Sequence, residues 1–546
     1  MNYPQGVSAQ DFDSALDEFR RIVGADNVFI SEADVALYRD AYSPKWGESD
    51  ELVASAAVAP TTVEQVQAIV KAANRLRIPL FAISTGKNLG YGGSAPNMSG
   101  SVIVDLKLLN KIIEVDDKRN FCIVEPGVSY FDLYNYIQER GLKLMMDVPD
   151  PGWGSPLGNA LDHGVGYTLG NYRDHFGSHC GMEVVLPDGE LLRTGMAAVP
   201  GAETWGENKY GYGAYVDGLF AQSNFGIVTK MGFWMMPQPE HYLSCMVKVP
   251  RYEDIIPLID TVNYLEDQGL IGHPRYGCPM DSLCLMWEPE SYKTTRELMQ
   301  LNNQPGGASV AEYQSYAQNH GLEYWNVVLN FYGPKKTLFA NWEYAQEKFA
   351  DIPGVQFEQL ESYSLPIAKK DQQKLRHQVA LGIPNMSIFS IGARSEAMPN
   401  PDDGHAWFAP IVPRNGKAFI KAHEVFCKAA KELGLTSAPI ARTNVPQTWQ
   451  YRSYIYLFPF FISRSDKEQN RKAVDQFITL VKLAAEHGWT EYRTAPIFQD
   501  IVASTYSFNN NALLRFQSLL KDTVDPNGII APGRGGIWPK RYREDA

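Results

Sequence analysis

The feature that most limits what this chain can become is the run Ser84-Thr85-Gly86-Lys87-Asn88-Leu89-Gly90-Tyr91-Gly92-Gly93. Its first residue closes a short apolar strand predicted over residues 80–84. Glycines at 86, 90, 92 and 93 permit backbone turns that side chains forbid, so successive N–H groups can converge on one point. Such a nest of amides suits a pyrophosphate. The run lacks the Gly-Lys-Ser/Thr ending of a Walker A loop, and it is not Gly-x-Gly-x-x-Gly. Standing alone, a glycine-rich loop is more often a plain turn.

The flanking pattern gives the loop a setting. Val66, Ile69, Val70 and Ala73 recur at helical spacing behind Thr61-x-x-Glu64, which reads as a capping box, and Pro79 ends that helix. Further strands are predicted over residues 101–106 and 122–125, and a helix runs from Ser129-x-x-Asp132 to Gly141. Pro187-Asp188-Gly189 reads as the turn of a hairpin joining residues 183–186 to 190–193. This mixed order predicts an α+β nucleotide-binding domain rather than a doubly wound sheet.

At 546 residues the chain exceeds one ordinary core, so more than one domain is expected. After Pro237 the segments lengthen and read as helix-rich. A second, substrate-covering domain is expected over residues 241–498, between a first part (1–240) and a C-terminal part (499–546) of the nucleotide-binding domain. The Gly- and Pro-rich residues 524–539 match the first domain in texture. A net charge of −12 disfavours nucleic acid as a partner. The six cysteines form no Cys-x-x-Cys pair, so a reducing cytoplasm is the expected compartment. No leader is expected in the acidic N-terminus, and no membrane span, because the longest apolar stretch, residues 454–462, is short and contains Pro459.

Three other places could carry chemistry. Asp150 stands between Pro149 and Pro151, where a held carboxylate could serve as a base; an isolated Asp in a turn is more often structural. His405, in Asp403-Gly404-His405-Ala406-Trp407-Phe408, is flanked by aromatics as packed histidines usually are, and no His-x-x-x-His or Glu-x-x-His accompanies it, so no metal is expected. Tyr492-Arg493 follows Gly488 on a short segment, a pairing that alone reads as a surface or ion-pair feature.

Taken in order, these pieces resemble the vanillyl-alcohol oxidase and p-cresol methylhydroxylase flavoprotein family, most closely its bacterial eugenol-oxidase-like 4-phenol oxidases. The loop at 84–93, residues 148–155 (VPDPGWGS), residues 164–168 (GVGYT), residues 220–230 (FAQSNFGIVTK), residues 491–494 (EYRT) and residues 524–533 (VDPNGIIAPG) carry the likeness. The resemblance implies a two-domain FAD-binding fold with a cap domain over the flavin. It implies that Ser84, Thr85, Gly86, Lys87, Asn88, Leu89 and Gly90 cradle the FAD, with Pro149, Gly154, Ser155, Asn159, Gly164, Tyr167, Ile227 and Arg534 as further contacts. It places His405 where the family's oxidases carry the histidine bonded covalently to the flavin; the hydroxylase branch has a tyrosine there. Tyr91, Tyr492 and Arg493 would bind the phenol oxygen as phenolate, and Asp150 would act beside the reacting carbon.

The implied reaction oxidises the para side chain of 4-hydroxybenzyl alcohols, 4-alkylphenols and 4-allylphenols through a quinone methide, with dioxygen reduced to hydrogen peroxide. A homodimer or higher homo-oligomer is the implied assembly. Three alternatives stay open: a same-fold dehydrogenase passing electrons to a cytochrome c, a sugar or hydroxy-acid oxidase, and a flavin carrier without turnover. The sequence also departs from the family pattern. Residues 445–453 lack the usual His-His pair, and Ala495 stands where a histidine is usual. A smaller residue at 495, with changes over 442–450, is expected to admit a bulkier ring such as a syringyl phenol.

Overall fold

The computed structural model describes residues 3–281, 296–387, 402–435, 444, 448 and 450–543. Its first sheet sets strands Ala56–Val58, Val102–Asp105 and Leu80–Ile83 in parallel, with Val28–Phe29 added antiparallel at one edge. Ala56, Ala57, Val58, Val102, Ile103 and Val104 are fully buried, as a parallel sheet covered on both faces requires. Helices Ala9–Val23 and Val63–Leu76 press their apolar stripes into the same core. The cap of the second helix sits one residue later than its sequence suggested. Thr62 is the N-cap, its hydroxyl accepting from Gln65 N–H at 3.3 Å, while Gln65 Oε1 accepts from Thr61 N–H at 2.7 Å. That register lets Val63 open the helix facing the core.

A second sheet is wholly antiparallel, in the order Ile112–Asp116, Phe121–Val124, Ile227–Trp234, His179–Val185, Leu191–Arg193. Its outer hairpin turns at Gly189, as the sequence indicated. The Ser129/Asp132 capping box also forms, opening helix Tyr130–Glu139. The tail returns to the first sheet: Leu80 N–H donates to Ile529 O and Ala531 N–H donates to Leu80 O, both at 2.7 Å. Lys521, fully buried, fastens it by donating to Asn224 O (2.6 Å) and Ile530 O (2.7 Å) while pairing with Asp525.

The middle of the chain is less helical than its sequence texture suggested. It is built on an antiparallel sheet, Arg275–Gly277, Trp325–Gly333, His241–Val249, Gln356–Ser364. Helices such as Ile255–Asp267, Lys335–Phe349 and Gly416–Glu432 cover it. Its central strands, His241–Val249 and Trp325–Gly333, are buried almost without alternation, which periodicity alone cannot separate from buried helix. One hydrophobic cluster spans Leu243 to Phe498, a second joins the early chain to Ile529, Ile530 and Ala531, and a third joins early-chain residues to Ile537 and, across the boundary, to Val379, Trp407, Ala409, Ile455 and Tyr492. On that partition we propose the limits 1–240, 241–498 and 499–546.

Candidate functional site

Strand Leu80–Ile83 delivers the glycine loop into a cavity. Gly86, Gly90, Gly92 and Gly93 all take positive φ, between 56° and 108°, so the loop needs glycine where the sequence has it. At Gly90 the reason is also spatial. A Cβ there would lie 2.6 Å from Trp407 Cδ1 and 3.1 Å from His405 Cδ2. Facing the loop, Ser155 caps the short helix Pro156–Leu161, whose Asn159 enters the cavity wall.

His405 lies on strand Asp403–Phe408, opposite Phe461 of Phe458–Ser463. Tyr42 and Trp407 enclose its ring, with centroids 5.0 and 4.5 Å away. Burial lowers its pKa to about 4, so the imidazole is neutral at physiological pH. Nδ1 is buried and makes no hydrogen bond among the described residues. A neutral imidazole with an unengaged nitrogen, on a residue that lines the cavity, is chemically a nucleophile.

At another wall, Glu491 accepts Ala409 N–H with both carboxylate oxygens, at 3.0 and 2.8 Å, and burial pushes its pKa well above the ordinary range. This contact, with the pairing of Thr490–Glu491 on Pro410–Pro413, fixes the backbone from which Tyr492 and Arg493 enter the cavity. Tyr91 OH and Tyr492 OH stand 3.2 Å apart, and the Arg493 guanidinium carbon lies 3.9 Å over the Tyr91 ring. Burial raises both tyrosines, so each stays protonated and able to donate. Burial alone would lower Arg493, but Tyr492, Tyr91 and Asp162 outweigh it and the net shift is upward, so its charge is permanent. Arg493 Nε is buried without a hydrogen-bond partner among the described residues. One cation and two hydroxyl donors thus share a desolvated corner, an arrangement that favours an oxyanion.

Asp150 completes the set. Its Oδ2 accepts from Tyr167 OH at 2.6 Å, whereas Oδ1 is buried and without a partner among the described residues. Burial lifts its pKa to about 6, against the lowering effects of the Tyr167 hydrogen bond and of Arg275. His273 and His377 flank the Tyr167 ring at 5.5 and 5.4 Å. A carboxyl group poised near neutrality can take or give a proton.

Of the residues singled out from sequence, Ser84, Thr85, Gly86, Lys87, Asn88, Leu89, Tyr91, Pro149, Asp150, Gly154, Ser155, Asn159, Tyr167, Ile227, His405, Tyr492, Arg493 and Arg534 all line this one cavity. Gly90 and Gly164 stand one layer back, Gly90 against His405 and Trp407 and Gly164 against the Asn159 side chain. Ala495 is buried in the hydrophobic cluster that holds Trp489 and Phe498 and is not among the residues that line this cavity. Positions 442, 443, 445–447 and 449 of the other departing segment lie outside the described residues. Sequence reasoning missed Tyr42, Trp407, Gln222 and Asp162, all in the cavity wall. Asp162 pairs with Arg534, accepts from Asn88 Nδ2 at 2.6 Å and lies 3.9 Å from Arg493 Nη1. Trp407, two residues from His405 on the same strand, was findable by its period-2 spacing.

The residues fit FAD. The loop of positive-φ glycines offers amides to a pyrophosphate, and three residues that line the same cavity, His405, Asp150 and Arg493, each carry a buried polar atom without a hydrogen-bond partner among the described residues. Among the described residues no cluster of His, Cys, Asp and Glu could hold a metal ion, and no helix is long and apolar enough to cross a membrane.

Fold and cavity define a flavoprotein, and comparison with known proteins agrees: residues 54–195 match the FAD binding domain family. The chain is 34% identical over 537 residues to the flavoprotein subunit of 4-cresol dehydrogenase (hydroxylating) from Pseudomonas putida, covering 98% of this chain and 97% of that one. It superposes on 4-ethylphenol oxidase from Gulosibacter chungangensis, solved with isoeugenol, with a TM-score of 0.83 at 33% identity, covering 99% and 100% of the two chains. Substrate-bound p-cresol methylhydroxylase gives 0.84 at 32% identity, covering 98% and 99%. The chain belongs to the vanillyl-alcohol oxidase and p-cresol methylhydroxylase family of FAD-binding oxidoreductases.

Proposed function

We propose that this protein oxidises the para side chain of 4-substituted phenols, including 4-hydroxybenzyl alcohols, 4-alkylphenols and 4-allylphenols. The observation that carries this reading is the convergence of Tyr91, Tyr492 and Arg493 in the cavity that also holds Asp150 and the glycine loop. Arg493 supplies the fixed positive charge, and the two tyrosyl O–H groups donate to the phenol oxygen, so the bound substrate sits as phenolate. Its negative charge moves through the ring and expels a hydride from the side-chain carbon attached at the para position, leaving a quinone methide. FAD, when bound, supplies the hydride acceptor. Asp150 Oδ1 then takes a proton from water adding to that carbon, or from the neighbouring side-chain carbon when an alkene forms. The cap keeps bulk water out of the cavity, which strengthens each of these charge interactions.

The neutral, unengaged imidazole of His405 supports a covalent bond to the cofactor. Such a bond raises the reduction potential and eases hydride acceptance. We read the protein as an oxidase, with dioxygen receiving the two electrons as hydrogen peroxide. The 34% identical relative, a dehydrogenase by name, favours electron delivery to another acceptor as the second reading. Anaerobic mixing with a 4-alkylphenol is expected to bleach the flavin absorbance, and unchanged absorbance across a panel of para-substituted phenols would remove the proposal. Peroxide accumulating in air without an added acceptor identifies the oxidase; bleaching without peroxide identifies the dehydrogenase.

A further inference from the structure

We propose that Asp162 is a positioning residue whose single carboxylate is shared by the substrate-side Arg493 and the cofactor-side Arg534, so that one charge sets both phenol ionisation and ease of cofactor reduction. The inference rests on the phenol-oxidising reading above. Asp162 follows helix Pro156–Leu161 directly as its C-terminal cap. Its Oδ1 pairs with Arg534, and its Oδ2 accepts from Asn88 Nδ2 at 2.6 Å and stands 3.9 Å from Arg493 Nη1. Gln222 holds the arrangement at the backbone, its Nε2 reaching Asp162 O at 3.5 Å and Tyr492 O at 2.9 Å. Four separate stretches of chain therefore meet at this carboxylate. Its side chain is 11% exposed and those of both arginines 16%.

Charge counting gives the consequence. Two guanidinium ions face one carboxylate, leaving one uncompensated positive charge in a desolvated cavity. Among the other titratable groups nearby, burial keeps Tyr91 and Tyr492 protonated and lowers His163, on which Asp162 and Asp174 also act, while Lys87 and Asp150, of opposite sign, line the same cavity. One bound phenolate balances the surplus. A second negative charge, arriving when the cofactor takes up hydride, meets Arg534 only as far as Asp162 leaves it unscreened. Removing the carboxylate charge while keeping its shape frees both arginines together. Substrate oxygen and cofactor should then respond in the same direction, because they draw on the same charge.

The test uses the FAD-loaded protein and its Asp162→Asn variant, with Asp162→Glu as the charge-preserving control. Two quantities are read: the pH midpoint for ionisation of bound 4-nitrophenol, followed by its phenolate absorbance, and the flavin midpoint potential against reference dyes. The expected result for Asp162→Asn is a phenol midpoint lower by about one unit, a tenfold change in ionisation. With it goes a tenfold gain in the reduction equilibrium, about 30 mV for a two-electron couple. Asp162→Glu should leave both near wild type. If the Asn variant fails to load cofactor, Asp162→Ser carries the same two readings. Failure of the wild type to bind the nitrophenolate anion overturns the underlying functional reading. Wild-type anion binding with only one quantity moving, or neither, overturns the shared-charge inference and leaves that reading standing.

Discussion

Replacing Tyr167 by Phe removes one hydroxyl and keeps the ring that packs against His273 and His377. In the structure that hydroxyl donates to Asp150 Oδ2 at 2.6 Å, and the bond holds the carboxyl pKa below where burial alone would put it. A hydrogen bond to a charged group is worth about 1.5–3 kcal/mol. At about 1.4 kcal/mol per pKa unit, losing it should raise Asp150 by about one to two units. The sign follows from the donor stabilising only the ionised carboxylate, so its loss favours the proton. Wild-type protein should show an acid limb near pH 6, where Asp150 titrates, in the rate of the step that consumes the quinone methide. In Tyr167→Phe the same limb should lie between about pH 7 and pH 8. Rapid mixing in a series of buffers, following quinone methide absorbance, measures it. An acid limb that stays put in the variant would refute the pairing of Tyr167 with Asp150 as the origin of that pKa.

Three further outcomes follow from the same geometry. In Asp150→Asn the protein should gain about 3 kcal/mol of stability at pH 7, because burial holds the carboxyl about two units above its ordinary value. A raised carboxyl pKa costs the folded state nothing below the unfolded value and its full amount above the folded one, so the gain should grow between about pH 4 and pH 6; equal melting temperatures across that window would contradict it. His405→Ala should release all yellow colour to the supernatant on acid precipitation while the wild-type pellet stays yellow, and a yellow variant pellet would place the bond elsewhere. Gly90→Ala should impair cofactor loading, since a Cβ at a φ of 81° would also press on Trp407 and His405; normal flavin content would show that the loop can give way.

What could be read in the sequence was whatever is encoded over a few neighbouring residues. The strand before residue 84, the helix start at Ser129-x-x-Asp132 and the hairpin at Gly189 are all local, and all three formed. The helix cap at Thr62 was missed by one position because Thr61 and Thr62 both satisfy the pattern and only the burial of Val63 chooses between them. The helix-rich reading of the middle segment failed because strands buried in a sheet core show no alternation to set them apart from buried helix. Resemblance supplied residues scattered from 84 to 534, and the fold gathered nearly all of them around one cavity. Asp162 stayed invisible because, in sequence, it is only the polar residue that ends a short helix. Its meaning comes from Asn88, Arg493 and Arg534, which only the fold brings to it.

The most direct trial of the phenolate corner is the rate at which excess 4-ethylphenol bleaches the flavin without oxygen, in wild type and in Arg493→Ala. Truncating a buried cation that stabilises developing charge should slow this step by about 10²–10³-fold. Equal bleaching rates in the two proteins would mean that substrate ionisation does not depend on Arg493, and the proposed chemistry would have to be abandoned.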